Sequence, residues 1–428
     1  MTGRPLKQIH LAAHFPGVNN TTVWTDPASR SQIEFSSFRH LAETAERGKF
    51  DFFFLAEGLR LREVKGRIHD LDVVGRPESI TVLNALAAVT ERLGLAATVN
   101  ATFNEPYELA RRLASLDHLS EGRAAWNVVT SSDAFTGENF RRGGYLDRAD
   151  RYTRAAEFVQ LAREFWDADG APVRHSGPQF DVTGTLSLPR PPQGHPVVIQ
   201  AGDSEEGREF AASAADVIFS RHSTLEAGQA FHHDVKRRLA AYGRKPDELK
   251  IMPGVTFVLG DTDAEAQERA AEIRRAQVSP RTAIAHLEQV WGIDLSDHDP
   301  DGPLPTADPV PDSELVQGRT RIGDPLEIAA RWRATAAEKK LSSRELVIEV
   351  TGRQSFIGSA RTVAAQLNEH VQSDAADGFI LVPHLTPGGL DDFVDQVVPL
   401  LQERGVFRTE YTGSTLREHL GLPVPGQR

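Results

Sequence analysis

The chain contains no cysteine. That absence excludes a disulfide framework, a thiolate nucleophile and any cysteine-ligated metal. No apolar run reaches the length needed to cross a bilayer, so no membrane-spanning helix is expected. The opening residues, MTGRPLKQIHLAAH, lack the apolar stretch of a secretory signal. Together these absences point to a cytoplasmic protein that is not bound to a membrane. Positive charge is also scarce: 48 Lys and Arg stand against 60 Asp and Glu, a formal net charge of −12. Nucleic acid, which recruits basic surfaces, is therefore not expected as a partner. A GxGxxG phosphate loop after a first strand is missing, and with it the main sign of a doubly wound dinucleotide-binding sheet. No fixed-period repeat is present beyond alternation of strands and helices.

What is there is enough apolar residue, 40% of 428, for a large core. Hydrophobic periodicity predicts eight strands, each followed by a helix. The strands are expected over residues 8–13, 51–57, 94–99, 124–128, 197–200, 217–220, within 250–259, and over 378–382. The run FDFFFLAE is too apolar for a strand with one wet face and reads as buried on both sides. Helices are expected over residues 36–48, 77–92, 106–120, 150–166, 205 onward, 225–242, 263–277, 359–372 and 390–404, with a small hairpin within 173–188. Eight βα units indicate an α/β protein with a (β/α)8 TIM barrel. One domain spanning 1–428 is expected, with an insertion at about 278–344 and a C-terminal extension at about 405–428 that wraps the barrel or a neighbour. The middle of the insertion, 297–312, is rich in Asp and Pro and lacks apolar periodicity. It is expected to be mobile and to order over the site when ligands bind.

In such barrels the active site lies where the strands end. That rule selects His14 after the first strand, Glu57 after the second, and Asn100 with Thr102 after the third. It selects Asn127, Thr130 and Ser131 after the fourth, Gly202, Asp203 and Ser204 after the fifth, Arg221 and His222 after the sixth, and His384 after the eighth. The set is rich in hydrogen-bonding groups and has no evident nucleophile–base pair, which suits a cofactor cradle better than a hydrolytic triad. The turn AGDS opens a helix whose N–H groups favour an anion, with Gly202 permitting close approach. An ordinary serine N-cap is the alternative; Glu205 and Glu206 oppose an anion, whereas Tyr152, beside Arg148 and Arg151, would add donors. His10 and His14 are four residues apart on one strand face, and with His222 and His384 they raise the question of a metal. The tight H-x-H expected of a metal-dependent barrel hydrolase is absent, and no metal site is assigned. Phe15, Trp24 and Phe103 either wall a flat ligand or belong to the core.

The segments GRAAWNVVTSS, PPQGHPVVIQAGDSEEGREFAA, DRYTRAAEF with its following FW, and FRTEYTGSTLREHLGL resemble the bacterial luciferase-like superfamily. Within it the chain is similar to the nitrilotriacetate, dibenzothiophene-sulfone and long-chain alkane monooxygenase group, over residues 8 to 422. The resemblance implies an FMN-dependent two-component monooxygenase. Such an enzyme receives reduced FMN from a separate NAD(P)H:flavin reductase and uses O2 to oxygenate a small organic substrate through a C4a-(hydro)peroxyflavin. FMN contacts are implied at Glu57, Asn100, Thr102, Asn127, Ser131, Tyr152, Gly202, Asp203 and Ser204. His14, His222 and His384 are the candidates for catalytic proton transfer, and a homo-oligomer is expected. The chain departs from the pattern on the substrate side: Glu57 stands where Asp is usual, Ser132 where His is common, and NNTTVWTDP replaces His-Gly-x-Trp-Arg. A flavin- or deazaflavin-dependent reductase, a metal-dependent hydrolase and a flavin carrier remain alternative readings.

Overall fold

The computed structural model describes residues 5–16, 21–60, 63–64, 67–68, 77–131, 134–140, 148–311, 316–317, 323–352 and 354–426. All eight expected barrel strands are present: β1 (His10–His14), β2 (Phe52–Leu55), β3 (Gly94–Asn100), β4 (Ala124–Val129), β5 (Val197–Gln200), β6 (Val217–Ser220), β7 (Lys250–Val255) and β8 (Gly378–Leu381). They close in the order β1-β8-β7-β6-β5-β4-β3-β2, and every neighbouring pair is parallel. The period of two divides their side chains between two apolar layers. Ala12, Phe52, Phe54, Ala96, Ala125, Ile199, Val217, Met252 and Ile380 face the lumen as one cluster. Leu11, Phe53, Leu95, Trp126, Val198, Ile218 and Phe379 pack outward in another.

Most of the helices pack on that outer layer. In chain order the longer helices are α1 (Phe35–Arg47), α2 (Ser79–Ala87), α3 (Pro106–Leu119), α4 (Arg148–Asp167), α5 (Glu205–Ala214), α6 (Leu225–Arg238) and α7 (Asp263–Gln277). Then follow α8 (Pro280–Trp291), α9 (Pro325–Lys339), α10 (Ser343–Thr351), α11 (Ala360–Gln372) and the shorter α12 (Val398–Glu403) and α13 (Leu416–His419). Among the described residues no helix is long and apolar enough to cross a membrane. The hairpin is present as Pro172–Ser176 paired antiparallel with Asp181–Thr185. Three local expectations differ. The helix expected to reach residue 92 ends at Ala87. The 250–259 stretch holds two strands, because Phe257–Leu259 leaves the barrel to pair with Phe356–Gly358. The last long helix opens with a π turn, Phe393–Val397; Pro399 in the first turn of α12 has no N–H to give an ordinary i→i−4 bond.

The C-terminal segment closes the lower end of the barrel. Leu416, Leu420 and Leu422 belong to the lumen cluster, and a Cβ on Gly94, the first residue of β3, would come within 2.6 Å of Leu416 Cδ1. Two ion pairs hold this segment. Arg417 donates to Asp216 at 2.9 Å with both side chains almost wholly buried, and Arg408 pairs with the fully buried Asp51, which also meets His10 at 3.2 Å. Burial pushes the Asp51 carboxyl up, but Arg408, His10 and the Leu11 N–H outweigh it and leave the pKa at about 2.

The described residues within 278–351 form a helical unit with its own apolar centre: Val278, Ala283, Leu287, Trp291, Leu295, Ala329 and Val347. Over its described part, to residue 311, the 297–312 stretch is held by side-chain and backbone hydrogen bonds. Trp291 Nε1 donates to the Ala307 carbonyl at 2.9 Å, and Arg333 donates to the carbonyls of Pro305 at 3.0 Å and Thr306 at 3.1 Å. Arg333 also pairs with Asp308 at 2.8 Å, while Ser343 N–H reaches Gly302 and Arg344 N–H reaches Pro300. Backbone carbonyls bound by side chains replace the apolar periodicity that the stretch lacks. Farther on, Val316–Gln317 pairs antiparallel with Glu63–Val64, so the unit is tied to the loop that leaves the C-terminal end of β2.

Leu416→Ala is expected to destabilise the protein by about 2–5 kcal/mol in denaturant titration, because it empties the lumen plug. Arg408→Gln should raise the pH at which the protein unfolds in acid. The folded Asp51 pKa lies below its unfolded value, so its stabilisation is complete above that value and is lost as pH falls towards about 2. An unchanged acid midpoint in Arg408→Gln would show that the pair contributes nothing.

Candidate active site

The groups at the C-terminal ends of β2, β3 and β4 are organised by hydrogen bonds from their own loops. Glu57 is half-buried and accepts from the Ser79 N–H at 3.0 Å, so this carboxylate caps the first turn of α2. Asn100 is buried; its amide donates to Ser131 Oγ at 2.7 Å, and its oxygen accepts from the N–H groups of Thr102 at 2.6 Å and Phe103 at 3.2 Å. Asn100, Thr102 and Ser131 are thus brought together, with Asn100 holding the turn. Asn127 faces the lumen in register with Thr98 and donates to its hydroxyl at 3.1 Å. The Asn127 side-chain oxygen is buried and has no hydrogen-bond partner among the described residues. An orphaned acceptor of this kind costs about 1–3 kcal/mol until a donor meets it.

The corner where β5 runs into α5 brings Gly202, Asp203, Ser204 and Tyr152 together. Ser204 accepts from the Gly207 N–H at 3.2 Å and so caps α5, leaving its hydroxyl proton to donate. Tyr152, from α4, lays its hydroxyl over this turn. A Cβ on Gly207 would come within 2.8 Å of that oxygen, and one on Gly202 would overlap both it and the Gln200 amide. Glycine at both positions leaves room for the tyrosine hydroxyl. The objection from Glu205 falls away, since its carboxylate is turned outward onto Arg238 at 2.7 and 3.1 Å. Asp203 is engaged by His222 at 3.0 Å and Arg208 at 3.1 Å. Burial would raise its pKa, but those two partners outweigh burial and lower it. The side chain of Arg148 and all of Ser132 lie outside the described residues.

The three histidines have separate surroundings. His14 is buried in the lumen, stacked on Phe54 with centroids 5.4 Å apart. His222 is held by Asp203 and stacks on Phe231 at 4.5 Å. His384 lines a cavity of about 290 Å³ between α7 and the loop after β8, with Val23, Phe257 and Arg269. Burial, helped by the Arg269 charge, lowers its pKa and keeps it neutral. His10 pairs with Asp51 at the opposite end of β1 from His14, so the two share a face without sharing a site. Among the described residues no group of three His, Asp or Glu side chains is placed to hold a metal. Phe15 is fully buried against Phe38 at 4.1 Å behind β1, which makes it core. Phe103 stacks on Phe140 at 4.5 Å, and Trp24 is largely exposed.

Sequence reasoning missed Thr98, Phe54, Phe219 and Gln200. The signal for Thr98 and Phe54 was their alternation with outward residues, which marks the lumen face once the strand register is known. Gln200 is buried with its side-chain oxygen unpartnered among the described residues, and nothing in the sequence distinguishes it from an ordinary strand-end polar residue.

A family model described as luciferase-like monooxygenase matches residues 17–377. Nitrilotriacetate monooxygenase component A of Aminobacter aminovorans is 40% identical over 432 residues, covering 94% of this chain and 93% of the relative. N-acetyl-S-(2-succino)cysteine monooxygenase of Bacillus subtilis (strain 168) is 40% identical over 448 residues, covering 99% of this chain and 98% of the relative. Among solved structures, riboflavin lyase with modified FMN and riboflavin superposes with a TM-score of 0.79 at 29% identity, covering 98% of this chain and 97% of that one.

Gly202→Ala is expected to cost about 1–3 kcal/mol of stability, because its Cβ displaces the buried Gln200 amide and the half-buried Tyr152 hydroxyl. Gly58→Ala is the control: a Cβ there meets nothing within 4 Å, and its effect should stay within about 0.5 kcal/mol. Equal unfolding midpoints for the two variants would mean that the Tyr152 hydroxyl moves aside freely.

Proposed function

The chain belongs to the luciferase-like monooxygenase family, and on that premise we propose that it uses reduced FMN and O2 to oxygenate a small organic substrate. A separate NAD(P)H:flavin reductase supplies the flavin in this reading. The observation that carries it is the β5–α5 corner, where glycine clears space beneath a tyrosine hydroxyl at a helix N-terminus. The donor set there is suited to a phosphate: the Tyr152 and Ser204 hydroxyls and the first N–H groups of α5. The unpartnered Asn127 oxygen suits an N–H of a flavin ring lying over the lumen. When bound, reduced FMN supplies the two electrons that activate O2.

The protein's share is binding, orientation and exclusion of water. Tyr152 and Ser204 anchor the phosphate end, and Asn127 orients the ring by accepting a hydrogen bond. Asn100 keeps the loop bearing Thr102 in register with Ser131. The helical unit within 278–351 is joined through Val316–Gln317 to the loop after β2, and in this reading it would limit access of water to the oxidant. His14, in the lumen, and His384, whose pKa is lowered by burial, are the candidates to hold or move a proton.

Anaerobic titration tests the reading. The protein should bind reduced FMN more tightly than oxidised FMN and oxidise little NADH when no reductase is added. Tyr152→Phe and Ser204→Ala should each weaken FMN binding by about 1.5–3 kcal/mol, the range for a hydrogen bond to a charged group. Rapid NADH turnover by the isolated protein would replace the monooxygenase with a reductase, and unchanged affinity in both variants would move the phosphate elsewhere.

A further inference from the structure

Three rings close the lumen beneath the site. β2 and β6 stand four places apart in a barrel of eight strands, on opposite walls, yet Phe54 from one and Phe219 from the other meet edge to face at 5.2 Å. Their contact therefore spans the lumen. His14 stacks on Phe54 at 5.4 Å and lies 6.2 Å from Phe219, completing the layer. Phe54 and His14 are almost wholly buried, whereas Phe219 is only partly covered.

Phe219 occupies its position because Gly254 of β7 has no side chain. A Cβ on Gly254 would come within 2.8 Å of the Phe219 Cζ and closer still to Cε2. Gly254 does not have the positive φ that would demand glycine for its backbone. In the middle of a strand, glycine weakens the sheet and marks a close approach, and here the approaching group is the Phe219 ring. One inward layer farther towards the strand ends from Phe54 and Ala96 stand Thr98 and Asn127, with the unpartnered amide oxygen of Asn127.

We propose that Phe219, seated on Gly254, is a positioning residue whose ring, with Phe54 and His14, is the floor on which the flavin ring system rests. The proposal builds on the reading that the protein binds reduced FMN. Tyr152 and Ser204 would hold the phosphate of a flavin and Asn127 its ring system, and aromatic rings would offer a flat, apolar support for the ring face. The depth of this floor sets how far the ring system lies below the substrate.

The test is anaerobic titration of reduced FMN into the full-length protein and the variants Gly254→Ala, Phe219→Leu and the double variant, with thermal unfolding measured alongside. Gly254→Ala should lift the Phe219 ring and weaken FMN binding about tenfold, which corresponds to ~1.4 kcal/mol. The double variant should recover to within about threefold of Phe219→Leu alone, the recovery expected when two mutations act through one contact. Phe219→Leu by itself should shift the visible spectrum of bound oxidised FMN, and it serves in place of Gly254→Ala if that variant does not fold. Variants that lose thermal stability but keep wild-type affinity and spectrum would make the three rings core packing and overturn the floor. Absence of FMN binding in the wild type would instead overturn the cofactor reading on which the floor is built.

Discussion

A closed barrel of eight parallel strands has an interior that must be filled at one end and left accessible at the other, and the arrangement of this protein depends on how that is met. The middle is filled by the barrel's own Ala12, Phe52, Ala96, Ala125, Val217, Met252 and Ile380. The lower end is filled by leucines from the last segment of the chain, held by the buried pair Arg417–Asp216. The upper end is stopped by rings that meet across the lumen. What stands beyond that stop is a polar rim whose members come from different strands.

Close approach is the second recurring device. Three glycines, Gly94, Gly202 and Gly254, admit a leucine plug, a tyrosine hydroxyl and a phenylalanine ring respectively. None of the three is in the left-handed region, so each is there for room. The polar rim uses a different economy: side chains such as Glu57, Asn100 and Ser204 bind backbone N–H groups of the loops and helices they stand beside. These bonds pre-organise the loops, and among the described residues the groups left over include the Asn127 and Gln200 oxygens and the Tyr152 and Ser204 hydroxyls.

Charge is handled in networks. Asp203 joins Arg208 and His222, and Arg238 gathers Asp234, Glu205 and Glu209. Arg238 draws Glu205, at the start of α5, away from the turn at Gly202. An anion site can therefore exist in a chain with a formal net charge of −12, because the local field is set by which carboxylates are already paired.

The barrel was legible in the chain because its signals are local. Eight short apolar runs, each followed by 3.6-residue periodicity, need no knowledge of tertiary contacts to be counted, and the rule that sites lie at strand ends then names residues such as Asn127 and Ser204. Family motifs such as WNVVTSS and QAGDS could likewise be read directly. What only the tertiary structure decided were the long-range meetings. Phe54 and Phe219 stand 165 positions apart and touch because their strands face each other across the lumen. Arg333 fixes a proline- and aspartate-rich stretch that has no packing pattern of its own. Leu416 completes a core begun by Ala12. His10 and His14, neighbours on one strand face, were sent to opposite ends of the barrel because a strand rises about 3.3 Å per residue. Local periodicity determines which elements form and which face each buries; closure of the barrel determines which of those faces meet.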